Sequence, residues 1–127
     1  MTDTFHSSKP IYIQLAERIQ GEILRGELAP GDKLPSVRDT ALSASVNPNT
    51  VQRTYRELEG MNIVESRRGQ GTFVTENQNV LQTMRESLKN EEISQFVSLM
   101  HQMGYSNKEI EVGLLEFLQS NREESNQ

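Results

Sequence analysis

The sequence predicts a mainly helical fold with a small β-hairpin wing, and three observations predict it. Two short helical segments follow one another with only Ser45 to Asn47 between them. Two β-prone runs, Ile63–Arg67 and Thr72–Thr75, then flank a turn that carries Gly69 and Gly71. After the polar stretch Glu76–Asn79, helical spacing resumes and continues almost to the end of the 127 residues. Tightly joined helices read as helix-turn-helix, and a glycine-bearing turn between β-prone runs reads as a hairpin. Their order is that of an N-terminal winged helix-turn-helix, here expected over residues 1–76, followed by a two-helix C-terminal region over residues 77–127.

The first helix is expected from Pro10, with Tyr12, Leu15, Ala16, Ile19 and Ile23 on one face. Ser8 is its expected N-cap, Pro10 suits the first turn, and Gly26 ends it before a turn at Pro30-Gly31-Asp32. Ser36 is expected to cap the second helix through the Asp39 N–H, and that helix reaches about Ala44. Asn47-Pro48 opens the third, as N-cap and first helical residue, with Val51, Tyr55 and Leu58 as its apolar stripe. Beyond the hairpin, Leu81, Met84, Leu88, Phe96, Val97, Met100 and Met103 predict a long fourth helix. Lys89-Asn90-Glu91-Glu92 interrupts its stripe, which leaves a continuous helix, a kink or a break open there. Gly104 is the expected C-terminal stop. Ser106 and Glu109 form a capping box for a fifth helix, whose apolar face is Ile110, Leu114, Phe117 and Leu118. Asn121–Gln127 is expected to fray.

Composition excludes several classes of function. Without cysteine there is no disulfide, thiolate metal site or cysteine nucleophile, which suits a reducing, cytoplasmic location. No apolar run is long enough to span a membrane, and Met1–Pro10 lacks the apolar core of a secretory signal. The only histidines, His6 and His101, are far apart. Gly69-Gln70-Gly71 lacks the remainder of a dinucleotide fingerprint and precedes a strand. No enzyme activity, cofactor or metal is therefore expected. The net charge of −5 is unevenly spread. Residues 1–76 carry nine Lys/Arg against ten Asp/Glu, whereas residues 77–127 carry four against eight. Between Lys33 and Val74 the balance is six basic to four acidic, so a basic face fits on an acidic chain.

Duplex DNA is read by side chains at a helix start that reach base edges, with cations and N–H groups on phosphates. Asn47, Pro48, Asn49 and Thr50 place polar groups at the positive start of the third helix. Asn49 and Gln52 match an adenine edge, Arg53 a guanine or a phosphate. Arg38, on the second helix, is placed to clamp a phosphate. Arg67, Arg68, Gly69, Gln70 and Gly71 form a basic hairpin tip able to approach a groove closely. Arg56 is expected to pair with Glu57 or Glu59 instead. In the tail, the helical spacing of Leu81, Met84, Leu88, Phe96, Met100, Ile110, Leu114 and Phe117 predicts that they pack, and the family resemblance described next implies that residues 77–127 are a dimerisation region with these residues as the interface core. A small-molecule effector pocket within that interface is the alternative, because methionine-rich surfaces adapt to ligands.

Four blocks make the chain resemble a known family. They are Pro10-Ile11-Tyr12-x-Gln14-Leu15, Gly26-x-Leu28-x-Pro30-Gly31-Asp32-Lys33-Leu34-Pro35-Ser36-Val37-Arg38, Val46-Asn47-Pro48-Asn49-Thr50-Val51-x-Arg53-x-Tyr55-x-Glu57-Leu58-Glu59 and Arg68-Gly69-x-Gly71-Thr72-Phe73-Val74. Together they resemble the GntR family of transcription regulators, and the short two-helix tail looks like the YtrA-type subfamily. The resemblance implies a homodimer on a palindromic double-stranded operator, with the third helix in the major groove and the wing tip in the minor groove. It implies DNA contacts at Arg38, Asn47, Asn49, Thr50, Gln52, Arg53 and Gly69, and a repressor, often of an adjacent ABC transporter. Thr40 and Ala44 depart from the family pattern by replacing leucine, with Leu42 as the candidate to compensate, and Asn62 departs by replacing glycine. The competing reading is a winged-helix protein–protein interaction module without an operator of its own.

Overall fold

A computed structural model describes residues 8–125, and side chains to position 122. His6 lies outside the described residues. Five helices and one hairpin follow in the order α1 (Ile11–Leu24), α2 (Val37–Ala44), α3 (Pro48–Gly60), β1 (Val64–Arg67), β2 (Gly71–Val74), α4 (Gln78–Gln102) and α5 (Asn107–Ser125). The chain forms two compact units divided within α4, one up to Arg85 and one from Glu86.

In the first unit, α1 and α2 pack on α3. The core is Leu15, Ala16, Ile19, Ile23, Leu34, Ala41, Val51, Tyr55, Leu58, Ile63, Val64, Val74 and Met84. Each helix brings one stripe, as its spacing dictates. Two buried polar residues are tied into this core. The Thr54 hydroxyl donates to the Tyr12 carbonyl at 2.9 Å, joining α3 to α1. Thr40 is buried but partnered: its hydroxyl lies 2.8 Å from that of Tyr55, which donates to the Pro35 carbonyl at 2.8 Å. Burial holds the Tyr55 phenol above its ordinary pKa.

The helix ends follow local chemistry. The Asp39 N–H donates to the Ser36 hydroxyl at 3.0 Å, and the Asn49 N–H to the Asn47 carboxamide oxygen at 2.8 Å, with Pro48 first in α3. Ser8 does not cap α1. Pro10 holds the N-cap position, and its carbonyl accepts from Ile13 and Gln14. Helices α1, α2 and α3 close in the same way. Glu27 N–H donates to Glu22 O, Val46 to Ala41 and Ile63 to Leu58, around left-handed Gly26, Ser45 and Asn62.

Strands β1 and β2 are antiparallel, from Val64 opposite Val74 to Arg67 opposite Gly71. The Gln70 N–H closes the tip on the Arg67 carbonyl at 2.9 Å, and Gly69 supplies the positive φ of 76° that this turn requires at its third residue. A connection unforeseen from the sequence completes the wing. Past the Pro30-Gly31-Asp32 turn, Lys33 bridges Phe73, and the Leu34 N–H donates to the Thr72 carbonyl at 2.7 Å.

The interruption of the apolar stripe in the fourth helix is not a break. Helix α4 runs unbroken through Asn90, and the Lys89 ammonium donates to the Glu86 carboxylate at 3.0 Å. The polar run removes apolar surface, but it holds neither proline nor glycine to stop a helix. Glu76–Asn79 is correspondingly short as a connector, because the Asn77 carboxamide oxygen accepts from the Asn79 and Val80 N–H groups and opens α4. In the second unit, Tyr105 N–H donates to Met100 O around Gly104. Ser106 and Glu109 then cap α5 reciprocally, at 3.2 and 3.0 Å. Helix α5 continues through Asn121 to Ser125, and Asn126 and Gln127 lie outside the described residues.

Candidate nucleic-acid interface

The buried stripe of α3 is Val51, Thr54, Tyr55 and Leu58. A helix turns by about 100° per residue, so Asn49, Gln52, Arg53 and Arg56 stand on the opposite side, and all four are exposed. Asn47 and Pro48 are also exposed, and Thr50 is half-buried at the flank. The Asn47 oxygen is occupied as the cap, which leaves its amide N–H groups to donate outward. Arg38 is exposed on α2. The expected pairing of Arg56 with a glutamate does not form: among the described residues it makes no ion pair. Glu59 instead accepts from the Ser66 N–H, at 3.2 Å.

Two arginines are held by rings. The Arg53 guanidinium lies 3.9 Å from the centroid of Tyr12. That of Arg67 lies 4.1 Å from Phe73 and is bridged to Glu65 at 2.9 Å. Arg67 is therefore folded back along the hairpin with its charge compensated, and Arg68 is the exposed cation at the tip. Gly69, Gln70 and Gly71 are exposed there too. Around Gly69 there is space for a β-carbon, whereas one on Gly71 would come within 2.7 Å of the Lys33 side chain. Lys33 thus lies across the base of the turn, an exposed cation that sequence reasoning missed because the bridge between residues 33 and 73 leaves no local signal.

In the second unit, Phe96, Leu114 and Phe117 are exposed, Met100 is partly so, and Ile110 is buried. On the α4 segment of the first unit Met84 is buried and Leu81 half-buried; Leu88, past the division, is half-buried. Met84 and Ile110 are covered within their own chain and offer a partner little area. Exposed Ile93, Leu99, Leu115 and Leu118 accompany the aromatic residues. A wide, shallow depression on α4 is lined by Ser94, Val97, Ser98, His101 and Gln102. No group of His, Asp and Glu able to hold a metal occurs among the described residues. No helix there is long and apolar enough to cross a membrane.

The profile of the family described as "Bacterial regulatory proteins, gntR family" matches residues 11–74, which span α1 through β2. The chain belongs to the GntR family. This GntR chain is 47% identical over 117 residues to the uncharacterized HTH-type transcriptional regulator YhcF of Bacillus subtilis, covering 92% of the chain and 97% of YhcF. It is 40% identical over 99 residues to the HTH-type transcriptional repressor YtrA of the same organism, covering 77% and 76% of the two chains. These matches extend past the wing, and they support the YtrA-type subfamily. Among solved structures, a GntR family transcriptional regulator from Listeria monocytogenes superposes with a TM-score of 0.82 at 36% identity, over 88% of this chain and 98% of that one. The DNA-binding domain of AraR in complex with operator ORX1 superposes with a TM-score of 0.53 at 26% identity, over 57% and 93%.

Within this GntR regulator the three departures have distinct consequences. Thr40 exchanges apolar volume for the hydrogen bond to Tyr55. Ala44 lines a cleft of about 300 Å³ with Thr40, Ser43, Leu15 and Glu22, and Leu42 does not fill it, being 71% exposed. Desolvation beside this cleft, reinforced by Glu27, raises the Glu22 pKa against the opposing pull of Arg25 and Arg18. Asn62 adopts φ 62°, the left-handed conformation that glycine would supply.

Proposed function

We propose that the chain is a sequence-specific DNA-binding transcription regulator, a repressor, that works in the cytoplasm as a homodimer on a palindromic operator. One observation carries this reading. The outward side of α3 presents Asn49, Gln52, Arg53 and Arg56, without an ion pair on either arginine among the described residues, on a helix capped by Asn47. Amides and guanidinium groups pair two-pronged with purine edges in the major groove. The N-terminal part of a recognition helix is where such groups reach bases.

The other parts have supporting roles. Arg38, Lys33 and Arg68 are cations for phosphates, and Gly69–Gly71 lets the wing tip approach a groove. Arg67 is assigned to hairpin stability, through Glu65 and Phe73. Dimerisation falls to Phe96, Met100, Leu114 and Phe117, joined by Leu99, Leu115 and Leu118. No catalytic step is required of any of these groups. Repression follows if operator occupancy excludes other proteins from the same duplex, and the name of the YtrA relative supports it.

Selection of bound duplexes from a random pool tests the reading. Two inverted half-sites, centred about one helical turn apart or a multiple of it, are expected. A pool that gains no sequence preference over successive rounds contradicts it, and leaves the interaction-module reading in its place.

A further inference from the structure

Arg53 has four rotatable side-chain bonds and stands on the exposed side of α3, yet its guanidinium is not loose. It lies over the Tyr12 ring, 3.9 Å from the centroid. Tyr12 is itself fixed to the same helix, because the fully buried Thr54, next to Arg53 in sequence, donates its hydroxyl to the Tyr12 carbonyl at 2.9 Å. The Tyr12 backbone is thus anchored to α3 at the residue next to Arg53, although 41 positions separate Tyr12 from Arg53 in the chain, and the anchor keeps the ring within reach of the guanidinium.

The geometry points to Tyr12 as a positioning residue for DNA recognition: the first turn of α1 holds the Arg53 guanidinium in a fixed plane before DNA arrives. This inference rests on the proposed role of Arg53 in the interface. Two physical arguments support it. Ordering a long side chain on binding costs conformational entropy, and a group already ordered in the free protein avoids that cost. A ring also orders a cation without neutralising it. The contrast lies in the same unit, where Arg67 stacks on Phe73 but is also paired with Glu65. Arg53 makes no ion pair among the described residues, so its full charge and its N–H donors stay available to a phosphate or a guanine.

The expected size follows from the stacking energy. An exposed cation–π contact of this kind changes an equilibrium on the order of 3-fold. A homodimer on a two-half-site operator uses the contact twice, which gives about 10-fold in operator affinity.

A double-mutant cycle tests the proposal, read by fluorescence anisotropy on a duplex selected by the intact chain. Tyr12→Leu is expected to weaken binding about 10-fold, Tyr12→Phe to bind like the unaltered chain, and Arg53→Ala to weaken it at least as much as Tyr12→Leu. In the Arg53→Ala background, Tyr12→Leu is expected to have no further effect. Thermal unfolding of each variant separates a folding defect from a recognition defect, and Tyr12→Met, which also removes the ring while keeping apolar volume, takes the place of Tyr12→Leu in the cycle if Tyr12→Leu unfolds; a folded ring-less variant that binds like the unaltered chain overturns the proposal. If Tyr12→Leu weakens binding equally with and without Arg53, or if Tyr12→Phe loses as much as Tyr12→Leu, the proposal is overturned, because Tyr12 then acts on its own. If Arg53→Ala leaves affinity unchanged while other α3 substitutions reduce it, the assignment of Arg53 to the interface fails, and this inference with it.

Discussion

The two units of the chain treat their apolar side chains in opposite ways. Among the described residues, thirteen of the fourteen buried hydrophobic residues lie before Glu86, and Ile110 is the exception. Ten of the thirteen large hydrophobic residues left exposed lie beyond it, among them Phe96, Leu99, Leu114, Phe117 and Leu118. The first unit closes its own core and satisfies its own buried polar groups, as the Thr40–Tyr55–Pro35 chain illustrates. In the second, two helices display an apolar surface that water opposes, of the kind that marks an interaction site. On the proposed reading, the lesson is a division of labour. A self-sufficient fold presents polar groups to DNA, and a helical pair completes its burial against a second copy of itself.

The strongest way to break this contrast is to charge the exposed surface. Leu114→Glu combined with Phe117→Glu should yield monomers in sedimentation while leaving the first unit folded. Operator affinity should then fall about 100-fold or more, because two linked reading heads bind far more tightly than one. A double variant that still sediments as a dimer would move the interface elsewhere. On the DNA-facing side, Arg53→Ala should cost about 1–3 kcal/mol of operator binding if the group reads a base. Unchanged affinity would remove it from the interface. Asn47→Ala should cost about 1 kcal/mol of stability in chemical denaturation, through loss of the α3 cap. No change would mean that solvent serves the Asn49 N–H equally well.

The smallest effect concerns the cleft beside α1. Glu22 has a raised folded pKa, chiefly from desolvation, so its ionisation opposes folding as pH rises through the carboxylate range. Stability associated with this group is present below its unfolded pKa and declines above it. Glu22→Gln should therefore raise the melting temperature slightly at pH 7, and less at pH 4. An equal change at both pH values would assign the effect to packing.

What could be read in the sequence was local. Ser36, Asn47-Pro48 and the Ser106–Glu109 box signal helix starts because donor and acceptor lie two or three residues apart. The Gly69 turn and the apolar stripes are readable for the same reason, as short-range spacing. What escaped depended on distance in the chain. The Lys33–Phe73 bridge spans 40 positions, and the Thr40–Tyr55 hydrogen bond spans 15. The pairing of Arg67 with Glu65 is near in sequence, but it forms only once the hairpin presents both side chains on one face. The continuity of α4 is hidden for a different reason. An interruption in an apolar stripe records where burial stops, and a helix of good formers continues without it. Ser8 has no capping role because α1 begins at Ile11, which puts Pro10 at the N-cap position and Ser8 two residues before it.

The most direct test is an anisotropy titration of the intact chain against a selected duplex and a scrambled one, across a range of salt concentrations. A clear preference for the selected duplex is expected, with affinity falling steeply as salt rises because cations on α2, α3 and the wing displace counterions from phosphates. Equal affinity for both duplexes, or a nearly flat salt dependence on the selected one, would contradict it.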